Sequence, residues 1–353
     1  MEPAKLGLPD IEAQLKEWLQ TQSGYGNEQL IADMLRTVLR LAQDDASRGD
    51  LKILNRALKE LRRAFKVFAP YTAIRKVSIF GSTRTIETDP HYLMASEVAQ
   101  RLAEENFMVI TGAGPGIMQA GHEGAGREKS FGVNIRLPSA QKANRFIRGD
   151  PKLIDLHFFF TRKLILVKEA DAVVIFPGGF GTHDELTESL TLSQTGKGQL
   201  VPIVLMDVPG GTYWKEWEGF MRRAVLSRGY ISERDMSLFK IVNDVASAVS
   251  EIQTFYRNFH SYRFVSQDLV VRLNRPPSPE LIDRLNREFA HVLTTGDIKT
   301  TEPLPEESAD VETPKLYRLL VPFNREDFAS LRQMVDVINR DDPPDLRGSP
   351  NLQ

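Results

Sequence analysis

The sequence predicts an α/β fold: a doubly wound parallel, Rossmann-like sheet with a helical N-terminal extension and a small α+β C-terminal extension. Two observations in the centre of the chain support this prediction. Short runs of β-branched and other apolar residues alternate with helical segments, as in parallel sheets that are covered by helices on both faces. Three of these runs end in glycine turns, and ligands of such sheets bind at the carboxyl ends of the strands.

The first segment, residues 1–70, is predicted to be a helical extension. Apolar residues recur at near-helical spacing over residues 9–68, and they are Leu15, Leu19, Leu30, Met34, Val38, Leu41, Leu51, Leu54, Leu58 and Leu61. Three basic residues, Arg62, Arg63 and Lys66, give the last part a basic face. We expect these helices to cap the main domain rather than to form an independent binding module.

The second segment, residues 71–260, is predicted to be the main domain. Its expected strands are Val77–Phe80, Phe107–Thr111, Phe131–Ile135, Ala172–Phe176, Leu200–Met206 and Leu238–Val242. Its expected helices are Tyr92–Glu105, one from about Ile117, residues 162–170, 183–195 and 213–226, and Val245–Tyr256.

The last part of the chain changes character from about residue 261. Residues 269–273, 298–301 and 316–321 are predicted strands, and residues 279–289 and 325–339 are predicted helices. The two stretches that begin near residues 270 and 317 each consist of a strand, a polar turn and a helix. We therefore predict that residues 261–340 form a small α+β extension built from a duplicated β-α unit, and that residues 341–353 are disordered.

Composition and charge exclude several classes of protein. The 353 residues carry a net charge of -2, so nothing indicates a nucleic-acid or membrane-surface partner. There is no cysteine, which rules out disulfides and thiolate metal sites and fits a reducing compartment. No signal peptide precedes the first helix, and the longest apolar runs are too short to cross a bilayer. We expect a cytoplasmic protein.

The most informative segment is VVIFPGGFGTHDELTE, residues 173–188. A buried strand ends at Pro177-Gly178-Gly179, and helical character is expected to begin at Thr182. A glycine turn at a helix start exposes backbone N–H groups at the positive end of the helix dipole, where phosphate commonly binds. Carboxylates at Asp184, Glu185 and Glu188 place an acid or base in the same segment.

This segment has a second interpretation that involves no ligand. Thr182-His183-Asp184-Glu185 matches a capping box, with Thr182 at the N-cap and Glu185 three residues on. The two interpretations are compatible, because a glutamate in the first helical turn beside a phosphate loop also faces the phosphorylated ligand.

A second glycine turn, Gly112-Ala113-Gly114-Pro115-Gly116, follows a predicted strand and opens a helix. It does not match the dinucleotide fingerprint, because Ile117 stands where the third glycine belongs and the acidic residue expected about 20 positions later is missing. Either a phosphate-cradling turn or a tight turn without a ligand remains open.

Basic residues lie beside these turns. Arg162 and Lys163 stand at a helix start, where cations oppose the helix dipole, so their position indicates an anionic partner. Arg84, after the first glycine turn, is either a further phosphate ligand or a surface residue. None of the six histidines has a metal-ligand spacing, and no nucleophile-elbow or Walker motif is present. We expect no metal and no cofactor.

With these motifs assembled, the chain resembles the LOG (Lonely Guy) family of nucleoside 5′-monophosphate phosphoribohydrolases, whose members are often labelled lysine decarboxylases. The family's P-G-G-x-G-T-x-x-E motif is complete from Pro177 to Glu185. The G-x-G-P-G-I-M-x-A turn matches from Gly112 to Ala120, with Ala113 in place of a usual glycine. The arginine-lysine pair is also present, and the stretches at 132–138 and 194–197 look like the longer bacterial branch.

The resemblance implies hydrolysis of the N-glycosidic bond of a nucleoside 5′-monophosphate to free base and ribose 5-phosphate. Arg162 and Glu185 are the implied catalytic residues. The implied substrate-binding residues are Gly178, Gly179, Gly181, Thr182, Gly114, Gly116, Met118, Lys163, Ser82 and Asn134. Decarboxylation is not implied, because no lysine can be assigned to a pyridoxal phosphate Schiff base.

The resemblance also implies a homodimer or larger homo-oligomer with its pocket near the subunit interface. The base preference, including any preference for cytokinin precursors, does not follow from the residues. An alternative of a different class is a nucleotide-binding sensor or carrier that does not turn over its ligand. The presence of both Arg162 and Glu185 favours the enzyme.

Overall fold

The computed structural model describes residues 13–14, 17–18, 21, 27–136, 142–307 and 315–341. Leu15, Leu19, the Leu137-Pro138 end of one matched stretch, and the predicted disordered residues 342–353 lie outside the described residues. By their internal contacts, residues fall into two compact units, Met1–Arg63 and Ala64–Gln353.

The first unit is helical, in agreement with the spacing of its apolar residues. Its described part includes helical residues at 13–14, 17–18 and 21, then α1, Glu28–Gln43, and the start of α2, Arg48–Phe68. The break between α1 and α2 has a local cause: the Ser47 hydroxyl accepts a hydrogen bond of 3.1 Å from the Asp50 amide, which caps the new helix. None of the apolar residues of α1 is buried: Leu30, Met34 and Val38 are exposed, and the other large apolar residues are partly buried.

The second unit contains a seven-stranded sheet in which every neighbouring pair of strands is parallel. The predicted α/β fold with a doubly wound parallel sheet is therefore confirmed. The strand order is β4-β3-β2-β1-β5-β6-β7, so the direction of winding reverses between β1 and β5. The strands are β1, Lys76–Phe80; β2, Met108–Thr111; β3, Ser130–Ile135; β4, Leu153–Leu156; β5, Ala172–Ile175; β6, Ile203–Met206; and β7, Phe239–Val242.

Helices connect these strands and bury the apolar residues of the sheet. They are α3, Pro90–Glu104; α4, Ile117–Ala125; α5, Phe159–Lys168; α6, Phe180–Gln194; α7, Tyr213–Phe220; and α8, Val245–Phe255. The five central strands β1, β2, β3, β5 and β6 are buried along their whole length, as their mainly apolar sequences predict.

Two details of the predicted elements were wrong. Strand β4 was missed, because it is a four-residue edge strand with only alternate residues buried and with Asp155 in its middle. The single helix expected over 213–226 ends at Phe220. It continues as a π-helical turn, Met221–Val225, and a 3₁₀ turn, Leu226–Arg228.

A second, four-stranded antiparallel sheet follows in the order β10-β11-β9-β8. Its elements are β8, Phe259–Val265; β9, Asp268–Leu273; α9, Pro279–Glu288; β10, Lys299–Thr300; β11, Tyr317–Val321; and α10, Phe328–Arg340. Strand β8 was missed because it is an edge strand with a register shift near its start, so its buried residues recur every third position instead of every second. Further 3₁₀ turns are Ala69–Tyr71, Glu233–Ser237, Ala290–Val292 and Pro305–Glu307.

The two sheets share apolar packing. The core under the antiparallel sheet includes Leu200, Leu238 and Phe255, which belong to the parallel-sheet region. Helix α10 is also fixed by a buried amide: Asn339 accepts hydrogen bonds from the amides of Asn258 and Phe259, and it donates one of 2.6 Å to the Phe255 carbonyl. These contacts attach the C-terminal extension firmly to the end of α8.

Among the described residues, the helices are either too short or too polar to serve as a membrane span.

We expect the stability of the fold to depend on the close contact between Gly196 and the Phe328 ring, which leaves no room for a side chain at position 196. Gly196 follows α6 with a φ of +64°, and a β-carbon there would overlap the Phe328 ring. Gly196→Ala should lower the free energy of unfolding by roughly 2–4 kcal/mol, because backbone strain and overpacking add. Denaturant unfolding measures this loss. Gly229→Ala is the matched control, since Gly229 has a φ of +71° and no neighbour within 4 Å. Equal losses in the two variants would contradict the overpacking.

Candidate functional site

A cleft of about 770 Å³ opens at the carboxyl ends of β1 and β5. This is the point at which the strand order reverses, where doubly wound sheets bind their ligands. The cleft is lined by residues 80–84 after β1, residues 178–185 after β5, Met118 of α4, and Phe159 and Arg162 of α5. The site predicted from the two glycine motifs therefore corresponds to a real concavity.

The helix after the motif begins earlier than predicted. Helix α6 starts at Phe180, with Gly179 at the N-cap and no side-chain cap. The amides of Thr182 and His183 both donate to the Gly179 carbonyl, at 3.0 and 3.2 Å. The predicted capping box is thus wrong: Thr182 lies inside the first turn, and Glu185 lies a full turn further along than the N3 position.

Three consecutive amides at this helix start are available to a ligand. Among the described residues, the N–H groups of Gly179, Phe180 and Gly181 donate to no other residue. Gly179 and Gly181 have no neighbour where a side chain would stand, so both leave the cleft open. Gly178 is a glycine for a different reason, because a β-carbon there would collide with the Thr182 hydroxyl. Unpaired amides at a helix N-terminus form an anion site.

Glu185 is the only buried carboxylate in the described lining of this cleft. Glu185 is 8% exposed, and its Oε2 atom has no hydrogen-bond partner in the part of the chain that the structure describes. Burial raises the pKa of Glu185 above its ordinary value of 4.5, while the charges of Lys163 and Arg162 act in the opposite direction. A buried polar atom without a partner is costly, so this carboxylate is held ready for a group that the protein itself does not supply.

Arg162 reaches the same cleft from α5. Its Nε donates to the Val133 carbonyl at 3.0 Å, and its guanidinium lies against Gly112, where a β-carbon would displace it. Burial lowers the pKa of Arg162, and the negative charge of Glu185 partly offsets this effect. Gly112 is therefore required by the arginine and not by a turn conformation.

Lys163 lies outside the cleft lining. Its Nζ atom bridges the carboxylates of Asp184 and Glu188, at 2.8 and 3.1 Å. It contributes to the site at a distance, since its charge lowers the pKa of Glu185.

The second glycine turn shapes the cleft more than it lines it. Met118 is in the lining, whereas Gly114 and Gly116 are not. Gly116 has a φ of +68° and packs against the Ser82 carbonyl, so it holds the two loops together. Ala113, which replaces a usual glycine, has a φ of +62°, the left-handed region that glycine adopts without strain.

The remaining predicted residues differ in position. Ser82 lines the cleft, and its amide donates to the Pro177 carbonyl at 3.1 Å, which ties the β1 and β5 loops together. Arg84 also lines the cleft. Asn134 does not, because its side-chain amide donates to Asp155 at 2.8 Å between β3 and β4.

Sequence reasoning missed four residues at the site. Thr83, Phe159 and Phe180 line the cleft, and the last two are exposed aromatic side chains. Phe180 occupies an unspecified position within a matched motif and Phe159 lies close before the arginine-lysine pair, whereas Thr83 belongs to the turn after β1, outside the matched motifs. Tyr213 lies behind the motif loop, with its hydroxyl 2.5 Å from the Gly178 carbonyl, and no pattern in the sequence indicates that contact.

Comparisons with known proteins identify similar chains. A family model described as "Possible lysine decarboxylase" matches residues 115–252. The cytokinin riboside 5′-monophosphate phosphoribohydrolase LOG2 of Arabidopsis thaliana is 30% identical over 165 residues, 45% of this chain and 73% of that protein.

Two further proteins are similar to parts of this chain. The pyrimidine/purine nucleotide 5′-monophosphate nucleosidase of Escherichia coli K12 is 30% identical over 127 residues, 32% of this chain and 27% of the nucleosidase. The solved molybdenum cofactor binding protein of Rippkaea orientalis is 18% identical, with a TM-score of 0.37, over 51% of this chain and 96% of that structure.

The identity to LOG2 covers most of that plant protein, and both glycine motifs and the arginine-lysine pair stand in the expected order along the chain, with Met118, Arg162 and Gly178–Glu185 in the lining of one cleft. This chain belongs to the LOG family.

Proposed function

We propose that this protein hydrolyses the N-glycosidic bond of nucleoside 5′-monophosphates and releases a free base and ribose 5-phosphate. The observation that carries the proposal is the buried, unpartnered Oε2 of Glu185 in a cleft whose other wall is the row of amides at Gly179–Gly181. An anion site next to a carboxylate matches a substrate with a phosphate at one end and a developing cation at the other. The activities for which the plant and bacterial relatives are named support the same reaction.

The helix start of α6 would bind the 5′-phosphate. The amides of Gly179 and Gly181 and the positive end of the helix dipole supply charge complementarity without a metal ion. The Thr182 hydroxyl, one turn into the helix, is in reach of the same anion from within the lining. Arg84, on the opposite loop, would add a cation.

Glu185 would stabilise the sugar as the base departs. Cleavage of an N-glycosidic bond passes through an oxocarbenium-like ribose, and a carboxylate beside it lowers the energy of that charge distribution. Burial strengthens the interaction, since the local dielectric is low. The carboxylate must be ionised for this role, which Arg162 and Lys163 favour.

Arg162 would orient the reacting groups. Its Nε is fixed on the Val133 carbonyl, so the planar terminal nitrogens face the cleft in a set direction. We propose that they contact the phosphate or the leaving base. Met118 and Ser82 would line the nucleotide pocket, while Gly114 and Gly116 would maintain its wall. Asn134 would act indirectly, through its hydrogen bond to Asp155 between β3 and β4. Lys163 would act through the effect of its charge on Glu185.

We also propose a homo-oligomer assembled over the apolar surface beside the cleft. Phe159, Phe160, Leu164 and Phe180 are all exposed there, and Phe180 is 96% exposed. Phe159 and Phe180 line the cleft as well, so a second copy on this surface would close its mouth.

The first prediction tests the reaction. Purified protein incubated with AMP, GMP, CMP, UMP or N6-isopentenyl AMP should release free base, which chromatography detects. Glu185→Gln should lower kcat by about 10³ or more, because the charge opposite the oxocarbenium ion is lost. Glu188→Gln, which removes a carboxylate that faces Lys163 instead of the cleft, should stay within about threefold of the wild type.

Nucleotide binding without any base release would support a sensor or carrier instead. Equal losses in the two glutamate variants would mean that the burial of Glu185 has no catalytic significance.

The second prediction concerns pH. Burial raises the pKa of Glu185 above 4.5. As the pH is lowered, activity should therefore be lost at a pH higher than 4.5. Lys163→Met removes a charge that lowers this pKa, so the acid limb of kcat/KM should move to higher pH. Lys168→Met, on the same helix but paired with Glu169, should leave the limb in place. An unmoved limb in Lys163→Met would disprove the coupling.

The third prediction concerns assembly. Phe160→Asp should convert the homo-oligomer to a smaller species, because a carboxylate would be buried without a partner at the interface. Light scattering after size-exclusion chromatography measures the mass. Phe220→Asp, at an exposed phenylalanine of α7, is the control and should not change it. A wild-type monomer, or a mass unaffected by Phe160→Asp, would refute the proposed surface.

A further inference from the structure

The Tyr213 hydroxyl joins the motif loop from behind, outside the cleft lining. We propose that Tyr213 is a positioning residue, which aims the Gly179 amide at the substrate phosphate. This inference rests on the proposed function, since it assigns a determinant of phosphate recognition within that site.

The direction of the hydrogen bonds follows from the distances. The Tyr213 oxygen lies 2.5 Å from the Gly178 carbonyl oxygen and 2.7 Å from Nε2 of His183. The carbonyl can only accept, so the single phenolic proton is donated to Gly178. His183 must then carry its proton on Nε2 and donate it to the phenolic oxygen. The hydrogen bond from His183 thus fixes the rotation of the tyrosine hydroxyl.

Holding the Gly178 carbonyl sets the direction of the next amide. The Gly178–Gly179 peptide is trans, so its C=O and N–H groups point in opposite directions. With the oxygen bound to Tyr213 on the far side, the Gly179 N–H is directed away from Tyr213, toward the open side of the loop. Two adjacent glycines have little intrinsic preference for one peptide orientation. The tyrosine hydroxyl therefore supplies a constraint that the loop sequence lacks.

Tyr213 is itself held independently of the cleft. Its amide donates to Oδ2 of Asp207 at 3.0 Å, directly after β6. The next residue, Trp214, is fully buried and donates from its indole nitrogen to the Met206 carbonyl at 3.0 Å. The two rings meet edge to face at 4.8 Å. The position of the hydroxyl is thus set by the neighbouring strand of the sheet.

The test is Tyr213→Phe, which keeps the ring and removes only the hydroxyl. The dissociation constant of ribose 5-phosphate, measured by calorimetry, should rise about five- to tenfold, as expected for the loss of one well-placed hydrogen bond. Adenosine, which has no phosphate, should bind within about twofold of the wild type. In steady-state assays with AMP, KM should rise more than kcat falls. Tyr230→Phe, at an exposed tyrosine, is the control and should change neither ligand.

Unchanged ribose 5-phosphate affinity in folded Tyr213→Phe would overturn the inference, as would equal weakening of ribose 5-phosphate and adenosine. Thermal melting establishes that the variant is folded. If it is not, His183→Phe provides the test, because it keeps the hydroxyl but removes the donor that directs its proton. A rise of about threefold for ribose 5-phosphate is then expected, and no rise overturns the proposal. Because ligand binding is measured without turnover, this failure is distinct from absent base release by the wild type.

Discussion

The hydrogen bond from the Ser82 amide to the Pro177 carbonyl is the contact on which the site depends. It joins the loops after β1 and β5, the two strands between which the winding of the sheet reverses. The Ile117 amide in turn donates to the Ser82 carbonyl at 3.1 Å, so the second glycine turn is tied to the same point. These backbone contacts require close approach, and a β-carbon at Gly116 or Gly178 would prevent it. The glycines of the motifs thus serve the interlocking of loops as well as access for a ligand.

Two ionisable side chains near this junction, Glu185 and Arg162, are in surroundings that disfavour their charged forms. Glu185 has a pKa that burial raises above that of the unfolded chain, so its ionisation at neutral pH costs folding free energy. That contribution is unfavourable above the raised pKa and disappears as the pH falls below 4.5, where the carboxyl is protonated in both states. Burial also disfavours the charged form of Arg162 nearby. Under the proposed function, function and stability would oppose each other at these two residues.

The extension beyond the parallel sheet stabilises the far end of the same helix. Phe328 of α10 packs on Gly196 just after α6, and Leu190 of α6 joins the core beneath the antiparallel sheet. The residue that begins α6 borders the cleft, whereas its last turns contact the extension. The same helix therefore connects the packing of the extension to the helix start that is proposed to bind phosphate.

The sequence by itself determined the parallel sheet, the two glycine turns and the prominence of Arg162 and Glu185. Apolar runs and glycine spacing are local patterns, and they report burial and turn geometry directly. The tertiary structure decided the rest. Edge strand β4 is only four residues long with Asp155 in its middle, and the buried residues of edge strand β8 recur every third position instead of every second. The start of α6 at Phe180 and the left-handed φ of Ala113 depend on loops that meet across the sheet.

The sequence pattern also did not predict the directions of individual side chains. Lys163 turns to Asp184 and Glu188 instead of the cleft, and Asn134 turns to Asp155. Tyr213 lies 35 residues from Gly178 in sequence, yet its hydroxyl donates a hydrogen bond to the Gly178 carbonyl. Such contacts join residues that only the fold brings together, so no local spacing in the chain encodes them.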